Sequence, residues 1–370
     1  MYTSISKVKS RSMAARFLLS RVQLSESLAM VSQSGARNSR LAGLQVAVTA
    51  LVVLPLIQVS SFSDLIGFAS LGTLVALFGR FAPPARRGMT VFLCVLCQTF
   101  TVFGMSLVAW LDVPMGGQLA ILALVCGILF YIVNVADFGP PGALIFIFAA
   151  SVSMGQVDEF ATVLERSSAT ALAAMLAWLL VLSTEGFRHD VEVGPAWFSD
   201  RPTSDQLLVV GRIILGAAVS GLVAYSFGGD HAGWAAMGAV VVLQGSHLHI
   251  SMNRALQRAG GNLLGAILVA LVLSTEPSVW TVIVMVAALS FCAEVTIGSN
   301  YGLGQVLVTP MALLMSYLAA PDLAGMAMVS ERVLDTFIGV AVGVIFAIIF
   351  STLDDRAHLV THHAKRRRLV

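Results

Sequence analysis

The sequence predicts an all-helical membrane protein of about twelve transmembrane helices, arranged as two parallel six-helix repeats. Three observations predict this fold class. The 370-residue chain is 57% hydrophobic and only 11% charged, whereas a soluble domain carries about 25% charged residues. Twelve apolar runs follow one another, and a helix needs about 20 apolar residues to cross a hydrocarbon core. Landmark sequences of the first six runs recur in the same order in the last six.

The apolar runs are continuous rather than alternating, which favours helices over barrel strands. They lie at 41–60, 64–79, 88–111, 117–136, 139–155, 163–182, 207–228, 231–246, 259–275, 278–297, 301–319 and 331–350. The predicted organisation is a basic cytoplasmic N-terminal tail, a first six-helix repeat, a cytoplasmic linker, a second six-helix repeat and a basic cytoplasmic C-terminal tail. These units span residues 1–40, 41–182, 183–206, 207–350 and 351–370. Residues 1–40 also have the composition of an organelle transit peptide, and the tail is the preferred interpretation.

The distribution of arginine and lysine predicts the orientation. Both tails and the loops on the same side are basic, whereas acidic residues dominate the opposite side. Cytoplasmic loops are enriched in basic residues, so both termini are predicted to be cytoplasmic. Six spans in each half return the chain to the same side, which makes the repeat parallel. Only Arg166 and Arg332 break the charge rule, because they precede spans on the acidic side.

The sequence carries no motif for nucleotide binding, zinc hydrolysis or a nucleophilic serine. We therefore predict that the protein is not an enzyme and uses no cofactor and no metal. His247 and His249 in "SHLHI" are more typical of a cytoplasmic loop than of metal ligands. Cys94 and Cys97 in "CVLC" are more typical of small apolar residues one helical turn apart. Membrane lipid is an expected partner and nucleic acid is not. The oligomeric state stays open, with a homo-oligomer among the alternatives.

The joins between spans give the first candidate site. "YIVNVADFGPPGA" places Asn134 and Asp137 before a Gly-Pro break, and "AEVTIGSNYGLGQ" places Glu294, Asn300 and Tyr301 at the corresponding place in the second half. Paired interruptions in corresponding halves indicate a substrate site, because unwound backbone there offers polar groups. The alternative is a pair of tight cytoplasmic turns with solvated carboxylates.

The second candidate site is the Glu-Arg pair that opens the sixth and twelfth runs, in "VLERSSATALAAM" and "SERVLDTFIGV". Arg332 and Asp335 are three residues apart and face each other on a helix, so a local ion pair is one interpretation. The acidic residues can also complement a helix N-terminus. In the functional interpretation, Arg166 and Arg332 form a fork for carboxylates. Asp335 has no twin, since Ala169 stands at the matching position.

Three segments of the second half resemble one membrane protein family. "MNRALQRAGGNLLGAILVALV", "NYGLGQVLVTPMALL" and "ERVLDTFIGVAVGV" are similar to segments of the fusaric acid resistance protein-like and aromatic acid exporter family. The resemblance extends over roughly residues 40–350. Its motif positions are Arg254, Arg258, Gly260, Gly265, Tyr301, Thr309, Pro310, Arg332, Asp335 and Gly339. Arg254 and Arg258 are predicted at a cytoplasmic helix end, where they bind lipid phosphate, gate the inner mouth or anchor the topology.

The resemblance implies a multi-pass protein of the bacterial inner membrane that exports aromatic or other organic acids. We therefore expect secondary efflux of a small organic anion, driven by the proton gradient. Glu294, Asp137 and Asp335 are the candidate proton carriers. Two alternatives stay open, which are a passive organic-anion channel and a scaffold for envelope machinery that transports nothing.

Overall fold

The computed structural model describes residues 10–33, 35–189, 202–319 and 325–367. Most of the predicted linker (190–201) and the outer ends of both predicted tails (1–9 and 368–370) lie outside the described residues. Within the described residues, nine helices are long and apolar enough to cross a membrane. In chain order the helices are α1 (Arg11–Leu18), α2 (Arg21–Leu28), α3 (Ala36–Gln58), α4 (Ile66–Thr73), α5 (Pro84–Trp110), α6 (Met115–Val135), α7 (Leu144–Val152), α8 (Phe160–Ser183), α9 (Thr203–Ser226), α10 (Gly233–Leu243), α11 (Leu248–Leu273), α12 (Val279–Ile297), α13 (Tyr301–Ala319), α14 (Met326–Ile349) and α15 (Leu353–Arg367).

Three of the twelve predicted spans form helices that are too short for a full crossing. They are α4 with its flanking 3-10 turns (Ser63–Leu65 and Leu74–Leu77), α7 and α10. The 11 residues of α10 extend about 17 Å, against a hydrocarbon thickness of about 30 Å. All of them are buried, and irregular backbone is tolerated at membrane depth where protein surrounds it. The predicted count of twelve crossings is therefore not confirmed, although each predicted run overlaps a helix.

Local sequence explains where several helices begin. Pro84 occupies the first turn of α5, where its missing N–H costs no hydrogen bond. Pro114 and Pro202 immediately precede α6 and α9. The side chain of Ser278 accepts a hydrogen bond of 3.3 Å from the backbone N–H of Thr281 and so caps α12.

The two halves pack in corresponding ways. α4 packs on α8 as α10 packs on α14, and α5 packs on α8 as α11 packs on α14. Contacts between the halves are reciprocal as well, since α6 packs on α9 and α12 packs on α3. Gly72 lets α4 approach α8 closely, and Gly339 lets α10 approach α14 closely. A Cβ atom would lie 2.3 Å from a backbone oxygen of α8 at Gly72, and 2.2 Å from a backbone oxygen of α10 at Gly339.

The helices nearest the two termini gather at one end of the bundle. α1 packs on α15, and α2 packs on both α11 and α15. The backbone N–H of Val31 donates a hydrogen bond of 2.9 Å to the carbonyl of Ser299. Asn300 donates to the carbonyls of Ser27 (3.2 Å) and Ala29 (3.0 Å). Residues 10–33 are therefore attached to the second half by side chains and backbone, and their cytoplasmic location stays a prediction.

Candidate functional site

Arg166 in the first half and Arg332 in the second half each lie over an aromatic ring. The Arg166 guanidinium lies 4.7 Å from the ring centroid of Phe68, and that of Arg332 lies 4.9 Å from the centroid of Trp234. Phe68 precedes Trp234 in the sequence by the same interval as Arg166 precedes Arg332. Cation–π contacts of this kind contribute about 0.5–2 kcal/mol, more when water is excluded. The two arginines therefore have similar contacts with an aromatic ring, while their equivalence in two repeats and their convergence on one substrate stay predictions.

The surroundings of the two arginines differ. Arg332 is 2% exposed and belongs to the buried side chains, whereas Arg166 is half-buried. Near Arg332, Nδ1 of His231 lies 2.7 Å from Oε2 of Glu331. The His231 ring also stacks on Trp234 with centroids 4.5 Å apart. The Glu-Arg pair of the second half is therefore enclosed by the turn that precedes α10. The first half has leucine at the position matching His231, three residues before Phe68, so it has no such enclosure.

A seam of buried polar side chains continues from Arg332 across α11, α13 and α14. Asn262 donates a hydrogen bond to the Thr336 hydroxyl and accepts one from the Thr309 hydroxyl. Arg258 lies one turn before Asn262, and its Nη1 donates to Oε1 of Gln305 at 3.5 Å. All five residues are buried. The seam joins three helices of the second half through polar contacts inside an otherwise apolar bundle.

Several polar atoms of this seam have no hydrogen-bond partner. They are Nε and Nη2 of Arg258, Nε and Nη1 of Arg332, Oδ2 of Asp335 and the hydroxyl of Tyr301. Arg332 interacts electrostatically with Arg258, Asp335 and Tyr301. Yet neither guanidinium forms an ion pair with a carboxylate among the described residues. The local Arg332–Asp335 ion pair expected from the spacing is therefore not formed. Buried donors without acceptors are rare in proteins, so these atoms require an explanation, such as a bound ligand, ion or water.

The predicted cytoplasmic helix end around Arg258 needs a correction. We expected a span from residue 259, whereas α11 begins at Leu248. Arg254 and Arg258 consequently lie inside the helix, and Arg258 is 2% exposed. The residues before 259 are polar, so hydropathy did not assign them to a span. They are nevertheless helical, and their polar side chains face other helices rather than water. Gly265 packs on α13, where a Cβ atom would lie 2.8 Å from the carbonyl of Val306, while Gly260 faces open space.

The joins between spans separate into different environments. Asp137 is exposed in a turn with φ of 52°, as in the interpretation of tight turns. Asn134 donates a hydrogen bond of 2.7 Å to the carbonyl of Phe130 in its own helix. Oδ1 of Asn300 accepts from the backbone N–H of Gly302 at 2.8 Å and caps α13. The structure does not bring these side chains together.

Glu294 is buried and forms an ion pair with Arg80, which follows α4 in the first half. Burial and the neighbouring charge of Arg188 lower the pKa of Arg80 from 12.5 to about 10. Arg80 therefore remains a cation near neutral pH. Asn38 donates to the carbonyl of Arg80 at 3.1 Å. This pair joins the two halves at the α3–α12 contact, so Glu294 is a link between halves rather than an unpaired carboxylate.

A cavity opens where the short helix α10 ends. Its volume is about 580 Å³, and it lies between α9, the α10–α11 turn and the ends of α14 and α15. Arg212, His247, Ser251 and Asp355 are among its polar lining residues. Arg212 also donates a hydrogen bond of 2.8 Å to the carbonyl of Leu243, the last residue of α10. The cavity leads toward α10 from the end of the bundle at which α15 begins.

Sequence reasoning missed Trp234, Asn262 and Gln305. A signal for two of them exists, because Arg258 and Asn262 are four residues apart, and Tyr301, Gln305 and Thr309 follow at the same spacing. Such spacing places polar side chains in one stripe along a helix. The signal for Trp234 is that it follows Phe68 by the same interval that separates the two arginines.

Comparison with known proteins places the chain near one family. No curated protein and no solved structure matches the chain. Residues 217–346 match the family described as fusaric acid resistance protein-like. This region contains α10 to α13 and most of α14, and with them the buried polar seam. Over this region of its second half, the chain is therefore similar to the fusaric acid resistance protein-like membrane proteins.

Proposed function

We propose that the protein is a secondary transporter that exports organic anions, aromatic acids in particular, across the bacterial inner membrane. The observation that carries this proposal is the pair of buried arginines, Arg258 and Arg332, each with two guanidinium nitrogens that lack an acceptor among the described residues. A carboxylate is the natural partner of a guanidinium and binds it through two hydrogen bonds. The family match supports transport or resistance as the class of function.

An aromatic substrate suits the same site. Trp234 already presents a ring face to Arg332, and stacked or edge-on aromatic contacts add about 0.5–1.5 kcal/mol beyond area burial. The carboxylate of an aromatic acid would contact the guanidiniums while its ring packs beside the indole. Tyr301, whose hydroxyl lacks a partner, supplies a further donor.

Asp335 is the preferred proton carrier among the three candidates. Asp137 is exposed and Glu294 is paired with Arg80. Asp335 is 3% exposed, and its Oδ2 has no hydrogen-bond partner. A buried carboxylate beside an arginine alternates between pairing with the arginine and carrying a proton. For export coupled to proton entry, Asp335 carries its proton on the return step, when Arg332 holds no substrate, and releases it before the next anion binds.

The two halves provide the means of alternating access. The reciprocal contacts α6–α9 and α3–α12 support a pseudo-two-fold relation, and rocking of such halves is a recurrent transport mechanism. In this proposal each short helix, together with the backbone beside it, carries the chain across the membrane. The chain then makes twelve passes, and both termini lie in the cytoplasm. The cavity at the end of α10 then forms the inner vestibule.

Transport by reconstituted protein tests the proposal. Radiolabelled fusaric acid, benzoate or terephthalate is added outside liposomes that have an acidic lumen. The uncharged amide of each acid is assayed separately as a matched control. Passive weak-acid permeation concentrates such compounds in the alkaline compartment. Accumulation of an acid, but not of its amide, in the acidic lumen therefore reports coupled exchange with protons.

Arg332→Ala is expected to abolish this accumulation, and Arg86→Ala, which removes an exposed arginine, leaves it unchanged. Loss of one charge-assisted hydrogen bond costs about 1.5–3 kcal/mol, which is about 10- to 150-fold in affinity. Normal transport by Arg332→Ala would remove Arg332 from the mechanism. Large single-channel currents without accumulation would identify a passive channel. Absence of any flux of the three acids would favour the scaffold.

A further inference from the structure

Histidines are concentrated at one end of the bundle. Five of the seven histidines of the chain lie there, on the first turn of α11 or just before it and on α15. They are His247, His249, His358, His362 and His363. Their rings stack across the two helices, with centroids 4.2 Å apart for His247 and His358 and 4.0 Å apart for His249 and His362. Neutral imidazole is the form that coordinates a metal ion.

A carboxylate completes the cluster. Glu26, on α2, lies 3.0 and 3.1 Å from Nε2 of His362 through its two oxygens. One ligand atom each of Glu26, His249 and His362 lies within 4.8 Å of the others. Nδ1 of His249 is buried and has no hydrogen-bond partner. Two histidines and one glutamate are a ligand set that zinc-class ions accept, with a fourth position for water.

A glutamine orients these groups from outside the ligand set. Oε1 of Gln23 lies 3.0 Å from Nε2 of His363, and its Nε2 donates to the backbone carbonyl of His249 at 3.0 Å. Gln23 is fully buried. Gln23 thereby holds the backbone of His249 in place, together with the ring of His363 beside the ligand set. Besides His362, Arg366 is the only basic side chain that forms an ion-pair contact with Glu26 among the described residues. Its Nη2 lies 3.9 Å from Oε1 of Glu26, and the side chain is half exposed, so that it can withdraw into solvent.

We infer that Glu26, His249 and His362 bind a divalent transition-metal ion of the zinc class. The rings of His249 and His362 are inclined by only 17°, so one of them rotates for both nitrogen lone pairs to reach the same ion. Bound metal would link α2, α11 and α15. The site is separate from the polar seam, because His249 lies about 20 Å before Asn262 at the helical rise per residue. This inference differs from the expectation that the chain carries no metal site.

The test uses the full-length protein in detergent, purified without a polyhistidine tag and stripped with a chelator. Co²⁺ serves as the probe, because its visible absorption reports coordination by protein ligands, and Zn²⁺ is the competitor. We expect one equivalent of Co²⁺ to bind and to be displaced by Zn²⁺. Glu26→Gln, His249→Ala and His362→Ala should each weaken binding more than about 100-fold, beyond the loss usual for residues that only orient a ligand.

His189→Ala is the matched control, since it removes an exposed histidine outside the cluster and should leave binding unchanged. The elution profile in size exclusion shows whether each variant folds, and Glu26→Gln preserves shape if an alanine variant does not. Absence of stoichiometric Co²⁺ binding by the wild-type protein would overturn the inference. Binding that persists in Glu26→Gln together with one folded histidine variant would overturn it as well.

Discussion

The ion pair between Arg80 and Glu294 allows a quantitative prediction about how the halves are joined. Both side chains are almost fully buried, with 7% and 6% exposure, so solvent screens their interaction little. Removal of one partner from a buried pair leaves an uncompensated charge and costs about 3–5 kcal/mol. Replacement of both by apolar residues of similar volume is often neutral, because the cost of desolvating two charges disappears with their attraction.

We therefore expect Arg80→Met and Glu294→Leu each to lower the free energy of unfolding by about 3–5 kcal/mol. The double variant should recover most of this loss. Unfolding by sodium dodecyl sulfate in mixed micelles, followed by tryptophan fluorescence, provides the measurement. Arg86→Met, at an exposed position in the first turn of α5, controls for the general effect of removing an arginine and should change stability by less than about 0.5 kcal/mol.

The double-mutant cycle decides the outcome. A coupling energy well above about 1 kcal/mol shows that the two side chains interact as the structure places them. Single variants that cost less than about 1 kcal/mol, with effects that simply add in the double variant, would refute the reasoning. In that case the contact between α3 and α12 would depend on apolar packing alone.

Three further predictions concern the second half. Gly339→Ala should destabilise the protein, because its Cβ would lie 2.2 Å from a backbone oxygen; Gly104→Ala, which meets nothing within 4 Å, should be neutral or stabilising when unfolding is measured in the same micelles. Trp234→Phe should weaken binding of an aromatic acid about 2- to 10-fold, because phenylalanine binds the Arg332 guanidinium less strongly than tryptophan; unchanged equilibrium binding would exclude the indole from the site. Asp335→Asn should retain exchange of labelled for unlabelled acid but lose accumulation driven by the pH gradient, and retained accumulation would exclude Asp335 as the proton carrier.

Hydropathy predicted the class of fold, and each of the twelve apolar runs overlaps a helix. Lipid selects continuous apolar helices, so the runs gave no signal for α1, α2 and α15. The run at 231–246 was already short, but hydropathy did not predict that α4, α7 and α10 fall short of a full crossing, since it measures how apolar a segment is and not whether lipid or protein surrounds it. It also failed at the start of α11, where the polar residues that precede residue 259 are helical and packed against other helices.

The candidate site was predictable where one residue broke a local rule. Arg332 and Asp335 stood out because charges are expensive inside the membrane, and both proved to be buried. The pairing of Glu294 with Arg80 was not predictable, because the two residues lie in different halves of the chain and no periodic pattern connects their positions. The histidine cluster was not predicted for the same reason, since α2, α11 and α15 meet only in the folded chain.

The two halves share a scaffold but not its chemistry. Each has an arginine over an aromatic ring and a threonine hydroxyl that donates to the arginine's carbonyl, at 2.9 Å for Thr170 and 2.8 Å for Thr336. The second half alone adds an acid at position 335, since the first half has Ala169 there. A symmetric scaffold can rock between two states whichever half binds substrate. In the proposed mechanism, coupling to protons requires a carboxylate beside the bound anion. The second half can therefore be specialised for proton coupling, while the first half provides the matching helices against which it moves.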